Sequence, residues 1–115
     1  MVMGSIEVTE HAGSHVVTLV GEHDLSTEPE LRGAIDRLFD AGSCVVLDLT
    51  QAEFIDSTVL NAMVAAHRRA ESRPEHTFAV VAAPDTPPGR VLHLSRLDAV
   101  VPTFSRLADA TSARP

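Results

Sequence analysis

Tryptophan and tyrosine are absent from this 115-residue sequence, and aromatic residues make up only 3% of it. Proteins that bind single-stranded nucleic acid stack the bases on aromatic side chains, and this sequence offers no such platform. Positive charge is also scarce, since the formal net charge is −7 and no basic run is longer than Arg68-Arg69. Binding to nucleic acid depends on a basic surface, so these deficits argue against a nucleic acid partner.

Cysteine occurs once, at Cys44, within an apolar run. A single cysteine cannot form an intramolecular disulfide, and we expect Cys44 to be a small buried residue of a protein from a reducing compartment. No apolar stretch approaches the ~20 residues that span a bilayer. The first residues also lack the basic-then-apolar order of a signal peptide. Together these features predict a cytoplasmic protein without direct membrane insertion.

The usual signatures of catalysis and metal binding are missing as well. None of the six histidines lies in an H-x-E or H-E-x-x-H pattern, so we predict no zinc site. The six glycines are scattered singly, which argues against a glycine-rich phosphate cradle, and no serine lies in G-x-S-x-G. We therefore expect no enzyme, no cofactor and no metal site, but a small domain that acts by binding.

The hydrophobic pattern predicts a single α/β domain over residues 6–110, between a flexible N-terminus (1–5) and a frayed tail (111–115). Two strands at 6–10 and 15–21 precede a helix that a Thr27/Glu30 capping box begins and Gly42 ends. Apolar runs at 44–49 and 77–83 predict strands covered on both faces by helices, as in a mixed sheet. The remaining predicted elements are a helix from Ser57 to before Arg73-Pro74, a loop at 84–88, a helix with Val91, Leu94 and Leu97, and a strand at 100–104.

The segment 53–60 contains two hydroxyl groups, Ser57 and Thr58, at the start of the second predicted helix. Unpaired N–H groups and the helix dipole favour negative charge at such a position, so a phosphate is one use for Ser57. The commoner use of serine at a helix start is N-capping, and from the residues alone capping is the stronger reading of Ser57. Asp56 lies beside it, and turn chemistry explains an aspartate there about as well as function does.

Four segments in order resemble the STAS domain family, which includes the anti-sigma factor antagonists. Val20-Gly21-Glu22-His23-Asp24 resembles the family's Gly-Glu-Leu-Asp turn, and Leu47-Asp48-Leu49 resembles its central strand. Residues 54–60 (Phe-Ile-Asp-Ser-Thr-Val-Leu) resemble its Asp-Ser-Ser/Thr-Gly-Leu signature, and residues 92–97 resemble the segment before its last strand. The resemblance extends over residues 6–104 and implies a STAS-like domain with a mixed central sheet.

The resemblance implies a phosphorylation switch in transcription regulation under stress. The unphosphorylated protein would bind an anti-sigma factor that is itself a serine-protein kinase, and so release a sigma factor. Phosphorylation of Ser57, with Thr58 as the second candidate, would abolish that complex, and a Ser/Thr phosphatase would reset it. The predicted partner-binding surface consists of Asp24, Leu25, Ser26, Thr27, Asp56, Ser57, Thr58, Val59 and Asn61.

The sequence departs from the family pattern at two positions where glycine is usual, Val59 and Arg96. We expect the branched side chain of Val59 to add bulk beside Ser57 and to hinder a kinase. This departure favours an alternative function, a STAS subunit of a transport or lipid-trafficking complex that is not phosphorylated. A scaffold module in a larger signalling complex is a third reading. Arg96 is expected at a turn that faces solvent.

Overall fold

The computed structural model describes residues 4–23, 28–42 and 44–112, without the side chains of Glu22 and His23. The strands are β1 (Ser5–His11), β2 (Ser14–His23), β3 (Cys44–Asp48), β4 (Ala52–Ile55), β5 (Thr77–Val81) and β6 (Thr103–Phe104). The helices are α1 (Glu28–Asp40), α2 (Ser57–Glu71), α3 (Pro87–Leu94) and α4 (Leu107–Ser112), with a 3₁₀ turn at Leu97–Ala99. Within the described residues, no helix combines the length and the apolar character that crossing a bilayer requires.

The strands form one mixed sheet in the order β1-β2-β3-β5-β6, with β4 paired to β2. β1 and β2 are antiparallel, and every other pair is parallel. The two-residue turn of the β1–β2 hairpin consists of Ala12 and Gly13, both with positive φ (52° and 83°). Such turns match the twist of the flanking strands. This architecture confirms the predicted α/β domain with a mixed central sheet.

Helices cover the two faces of the sheet unequally. The larger core lies between the sheet and α1, α2 and α3, and it includes Leu31, Phe39, Leu47, Met63 and Leu92. On the opposite face, Val16, Val46, Val81 and Ala110 form a smaller cluster beneath α4. The alternation of side chains along a strand sends neighbouring valines such as Val45 and Val46 to opposite faces. The apolar runs of β3 and β5 are therefore explained by burial on both sides.

An arginine joins the two long helices at the surface. The Arg69 guanidinium of α2 donates to the Asp36 carboxylate (Nη1–Oδ1 2.8 Å) and to Asp40, both on α1. It also lies 5.5 Å from the ring centroid of Phe39. The hydrogen bonds with Asp40 and, second, Asp36 raise the pKa of Arg69. While the two carboxylates are ionised, the raised pKa means that these ion pairs stabilise the fold below the unfolded pKa of arginine, and the stabilisation is lost as the pH rises through the folded pKa.

The predicted element boundaries need four corrections. Residues 52–55, which belong to no predicted strand or helix, form β4, which pairs with β2 across a register shift between Gly21 and Glu22. Pro87, predicted in a loop, begins α3, because Thr86 caps that helix. The face of α3 does not continue as predicted, since Leu94 is 82% exposed. The last strand spans only Thr103–Phe104.

At the two ends of the domain, β1 begins before and α4 ends after the predicted limits of residues 6–110. Ser5 already belongs to β1, and α4 continues to Ser112 and includes Thr111, which is buried.

Arg96 is exposed, as predicted, and has left-handed backbone angles (φ 62°, ψ 18°). Glycine adopts such angles without steric cost, whereas a side chain makes them unfavourable. The backbone at position 96 therefore accounts for the glycine that is usual there.

Candidate functional site

The junction between β4 and α2 places the predicted phosphorylation segment at the surface. β4 ends at Ile55, which is buried, and this fixes the chain just before the turn. Asp56 has extended backbone angles (φ −117°, ψ −173°) and α2 begins at Ser57. From there, Val59, Ala62, Met63, Ala66 and Ala70 line the buried face of the helix. The spacing of these residues determines which side chains at the start of α2 face solvent.

Asp56 is the N-cap of α2. Its Oδ1 accepts hydrogen bonds from the backbone N–H groups of Thr58 (3.0 Å) and Val59 (3.4 Å). The same oxygen accepts a hydrogen bond from the Thr58 hydroxyl at 2.5 Å. The reading of Ser57 as the capping residue was therefore wrong: of the two N–H groups that a Ser57 cap would bind, that of Val59 donates to the Asp56 carboxylate and that of Leu60 to the Asp56 backbone oxygen.

The two hydroxyl groups of the segment have different environments. The Ser57 side chain is exposed, and its hydroxyl has no hydrogen-bond partner within the described part of the chain. The Thr58 side chain is half-buried, and its hydroxyl donates to Asp56. A modifying enzyme would have to break this short hydrogen bond to reach Thr58, whereas Ser57 is accessible without rearrangement. The geometry thus distinguishes two residues that the sequence left in competition.

Val59 does not lie beside Ser57 at the surface. Its side chain is 0% exposed and belongs to the main core. The expectation that its branched side chain would crowd Ser57 was wrong, because the third residue of α2 faces the sheet while the first faces solvent. For the same reason, the side chain of Val59 is not available to a partner, and we remove it from the predicted binding surface.

The solvent-facing flank of α2 includes another predicted partner-binding residue, and β4 carries an exposed residue, close in sequence, that was not predicted for the site. Asn61, one turn after Ser57, is exposed as the prediction requires. Phe54 on β4, three residues before Ser57, is 51% exposed. Exposed aromatic residues are enriched in protein interfaces. The sequence showed Phe54 only as the first residue of the family signature, and its place on β4, an element that the prediction missed, is what the structure adds.

The remaining predicted site residues, Asp24, Leu25, Ser26 and Thr27, lie outside the described residues, as does the first half of the Thr27/Glu30 capping box. Among residues 4–23, 28–42 and 44–112, no group of three or more His, Cys, Asp or Glu side chains is arranged to hold a metal ion. The described site therefore consists of the cap, two hydroxyl groups and the exposed flank of α2.

The sequence matches the model of the STAS domain over residues 5–110. It is 33% identical over 107 residues to the anti-sigma-F factor antagonist RsfB of Mycobacterium tuberculosis, a match that covers 92% of this chain and 85% of RsfB. The match therefore includes the β4–α2 junction as part of a nearly full-length similarity.

Solved structures give the same result. The crystal structure of an anti-sigma factor antagonist from Mycobacterium paratuberculosis superposes with a TM-score of 0.86 at 32% identity, covering 97% of this chain and 94% of that one. The anti-sigma factor antagonist SpoIIAA in its unphosphorylated form gives a TM-score of 0.69 at 15% identity, covering 97% of this chain and 96% of SpoIIAA. At that identity the second likeness shows the fold alone.

Proposed function

Because the chain belongs to the STAS domain family, we propose that it is an anti-sigma factor antagonist controlled by phosphorylation of Ser57. In this proposal the unphosphorylated protein binds an anti-sigma factor that is also a serine kinase, and a sigma factor is released. Phosphorylation ends that complex, and a Ser/Thr phosphatase restores it. The protein would act in the cytoplasm by binding and not by catalysis. The 33% identity to RsfB supports the class of function.

The observation that carries the proposal is the free, exposed hydroxyl of Ser57 beside an engaged Thr58. A phosphoacceptor must enter the active site of another protein, so its hydroxyl has to be accessible and not tied to its own fold. Ser57 meets this requirement at the first residue of α2, where the rigid helix fixes its position. Thr58 does not, because its hydroxyl is bound to the cap.

The cap also makes Ser57 an effective place for a charge switch. Asp56 already accepts from two of the N–H groups at the start of α2, so these groups are not free to neutralise a phosphate. A phosphoserine carries about −1.5 to −2 charges at neutral pH. That charge would stand in solvent next to the Asp56 carboxylate, and a partner would have to desolvate both. Burial of an unpaired charge in an interface is costly, so phosphorylation would weaken the complex without refolding the domain.

The proposed partner surface combines the acceptor with its exposed neighbours. Polar contacts come from Ser57, Asn61 and the half-buried Asp56, and an apolar anchor comes from Phe54. Aromatic anchors carry much of the binding energy of protein interfaces. We also assign Asp24 to Thr27 to this surface, on the family resemblance alone. The core residue Val59 is not part of it.

The alternative function is a STAS subunit of a transport or lipid-trafficking complex without phosphorylation. The reason for it was the expectation that the Val59 side chain adds bulk beside Ser57 and hinders a kinase. The Val59 side chain lies in the core, so this reason no longer applies. No other feature of the described residues favours a membrane assembly over the switch. We therefore advance only the anti-sigma factor antagonist.

Phosphosite mapping tests the proposal. The protein is incubated with ATP and candidate anti-sigma factor kinases, and the modified residue is identified by mass spectrometry. We expect one phosphate on Ser57, none on Ser57→Ala, and full incorporation into Thr58→Val, which removes the competing hydroxyl. Phosphate on Thr58 in the unaltered protein, or none with any cognate kinase, would contradict the proposal.

Binding measurements with the same anti-sigma factor separate the surface from the fold. Phe54→Ala and Val8→Ala shorten side chains of similar exposure (51% and 47%), but Val8 lies on the edge strand β1. We expect Phe54→Ala to weaken binding at least tenfold, as loss of an interface anchor does, and Val8→Ala to leave it unchanged. Equal effects of the two variants would show that Phe54 is not part of the interface.

A further inference from the structure

A cleft of about 480 Å³ lies between α3 and the end of β6. This volume falls within the range of small-molecule sites. Ala82 and Ser105, which line it, directly follow the adjacent parallel strands β5 and β6. In open α/β sheets, ligands bind outside the carboxyl ends of parallel strands. The cleft is distinct from the β4–α2 junction, because none of its lining residues belongs to β4 or α2.

Apolar and charged residues both line the cleft. Leu92, Leu94 and Phe104 contribute apolar walls, and Leu94 is 82% exposed. An exposed leucine on the wall of a concave site gains from apolar contact, because covering it removes its surface from water. A ligand with a short apolar chain therefore fits it better than a large polar one.

Among the charged residues that line the cleft, Arg90 favours a ligand with a negative charge. The Arg90 guanidinium is exposed, donates only to the backbone oxygen of Asp85 (2.9 Å), and has no carboxylate partner within the described residues. The nearby Asp98 carboxylate is instead engaged with the His93 ring, with Nδ1 and Oδ2 3.0 Å apart. The cleft thus presents one arginine with unused donors, whose planar fork matches a carboxylate.

We propose that this cleft binds a small carboxylate with an apolar chain, such as a medium-chain fatty acid. The chain lies against Leu92, Leu94 and Phe104, and the carboxylate accepts from Arg90. This inference is independent of the phosphorylation switch and of any anti-sigma factor.

Octanoate serves as the probe in a titration of ¹⁵N-labelled protein followed by NMR. We expect saturable shifts confined to the cleft, around residues 82–94 and 103–105. Butyrate, which keeps the charge but shortens the chain, and 1-octanol, which keeps the chain but removes the charge, should each bind at least about tenfold more weakly. Absence of saturable shifts in the cleft, or equal binding of 1-octanol and octanoate, would overturn the proposal.

Variants at exposed positions keep the test separate from folding. Arg90→Gln should weaken octanoate binding about tenfold or more, and Ser105→Trp should block the cleft. Arg68→Gln removes another exposed arginine, on α2, and should leave the affinity unchanged. Circular dichroism melts confirm that each variant is folded. Arg90→Gln with unaltered affinity would refute the proposed site.

An anionic membrane lipid also combines a negatively charged group with apolar chains. Co-sedimentation with vesicles that contain phosphatidylglycerol distinguishes it from a free acid. We expect the protein not to sediment with such vesicles at the protein concentration used in the octanoate titration. If the protein sediments with the vesicles, if substitution of Arg90 or Leu94 abolishes this, and if octanoate does not bind, the cleft recognises a lipid surface and not a free carboxylate.

Discussion

Replacement of Val59 by glycine restores the residue that is usual in the STAS family and tests where this side chain acts. Val59 is 0% exposed and lies in the main core. Burial of a whole valine side chain contributes about 1.5–3 kcal/mol, and glycine in a helix costs up to about 1 kcal/mol relative to alanine. We therefore expect Val59→Gly to lower the free energy of unfolding by about 3 kcal/mol. Val59→Ala, which keeps the helix propensity, should lower it by about 2 kcal/mol.

Urea unfolding followed by circular dichroism measures this loss, and the midpoint should fall without a large change in slope. The kinase reaction at Ser57 is measured in parallel, at a temperature at which both variants are fully folded. Because the Val59 side chain faces the core, the initial rate of phosphorylation should stay within about twofold of the unaltered protein. A loss of stability below about 1 kcal/mol would show that Val59 is not a core residue. A large acceleration by Val59→Gly would show that its side chain does obstruct the kinase.

Three further substitutions test particular local features by urea unfolding. Asp56→Ala removes the cap and should cost about 1–2 kcal/mol; a change below about 0.3 kcal/mol would mean that the hydrogen bonds to Thr58 and Val59 contribute nothing. Arg96→Gly relieves a left-handed backbone with φ 62° and should stabilise the protein by about 0.5–1 kcal/mol, whereas destabilisation would contradict that backbone conformation. Gly89→Ala places a Cβ 1.9 Å from the backbone oxygen of Ala83 and should cost at least about 2 kcal/mol; an unchanged midpoint would mean that α3 is not packed so closely.

The sequence was sufficient to predict the architecture, because periodicity and turn residues carry that information. In α1, the apolar spacing predicts a buried face of Leu31, Ala34, Ile35, Leu38 and Phe39; four of these are buried and Leu38 is half-buried. Gly42, predicted to end this helix, has φ 77°. Local signals of this kind need no knowledge of the tertiary structure.

Short elements that depend on tertiary pairing were missed. β4 has four residues, of which only the first and last are buried, so it shows neither alternation nor a continuous apolar run. Its existence depends on pairing with the far end of β2, which no local pattern encodes. Thr86 followed by Pro87 is a helix-start pattern, which the loop predicted for residues 84–88 overlooks.

The sequence predicted the segment around Ser57 as the site, and the structure corrects two of its details, the residue that caps α2 and the burial of Val59. Family resemblance pointed to Ser57, but two adjacent residues, Asp56 and Ser57, can both cap a helix. The capping residue is determined by where α2 begins after β4. The same helical phase directs the Val59 side chain into the core. The spacing of Val59, Met63 and Ala66 already indicated this phase, and it was the signal that would have placed Val59 in the core.

The affinity of the anti-sigma factor for the protein with and without phosphoserine at position 57 tests the central claim most directly. Both forms are prepared with an otherwise unaltered chain, and the Kd of each is measured with the same anti-sigma factor. We expect phosphorylation to weaken binding by about a hundredfold or more, which corresponds to ~3 kcal/mol, while the thermal unfolding of the isolated domain changes little. Equal affinities of the two forms would contradict the claim.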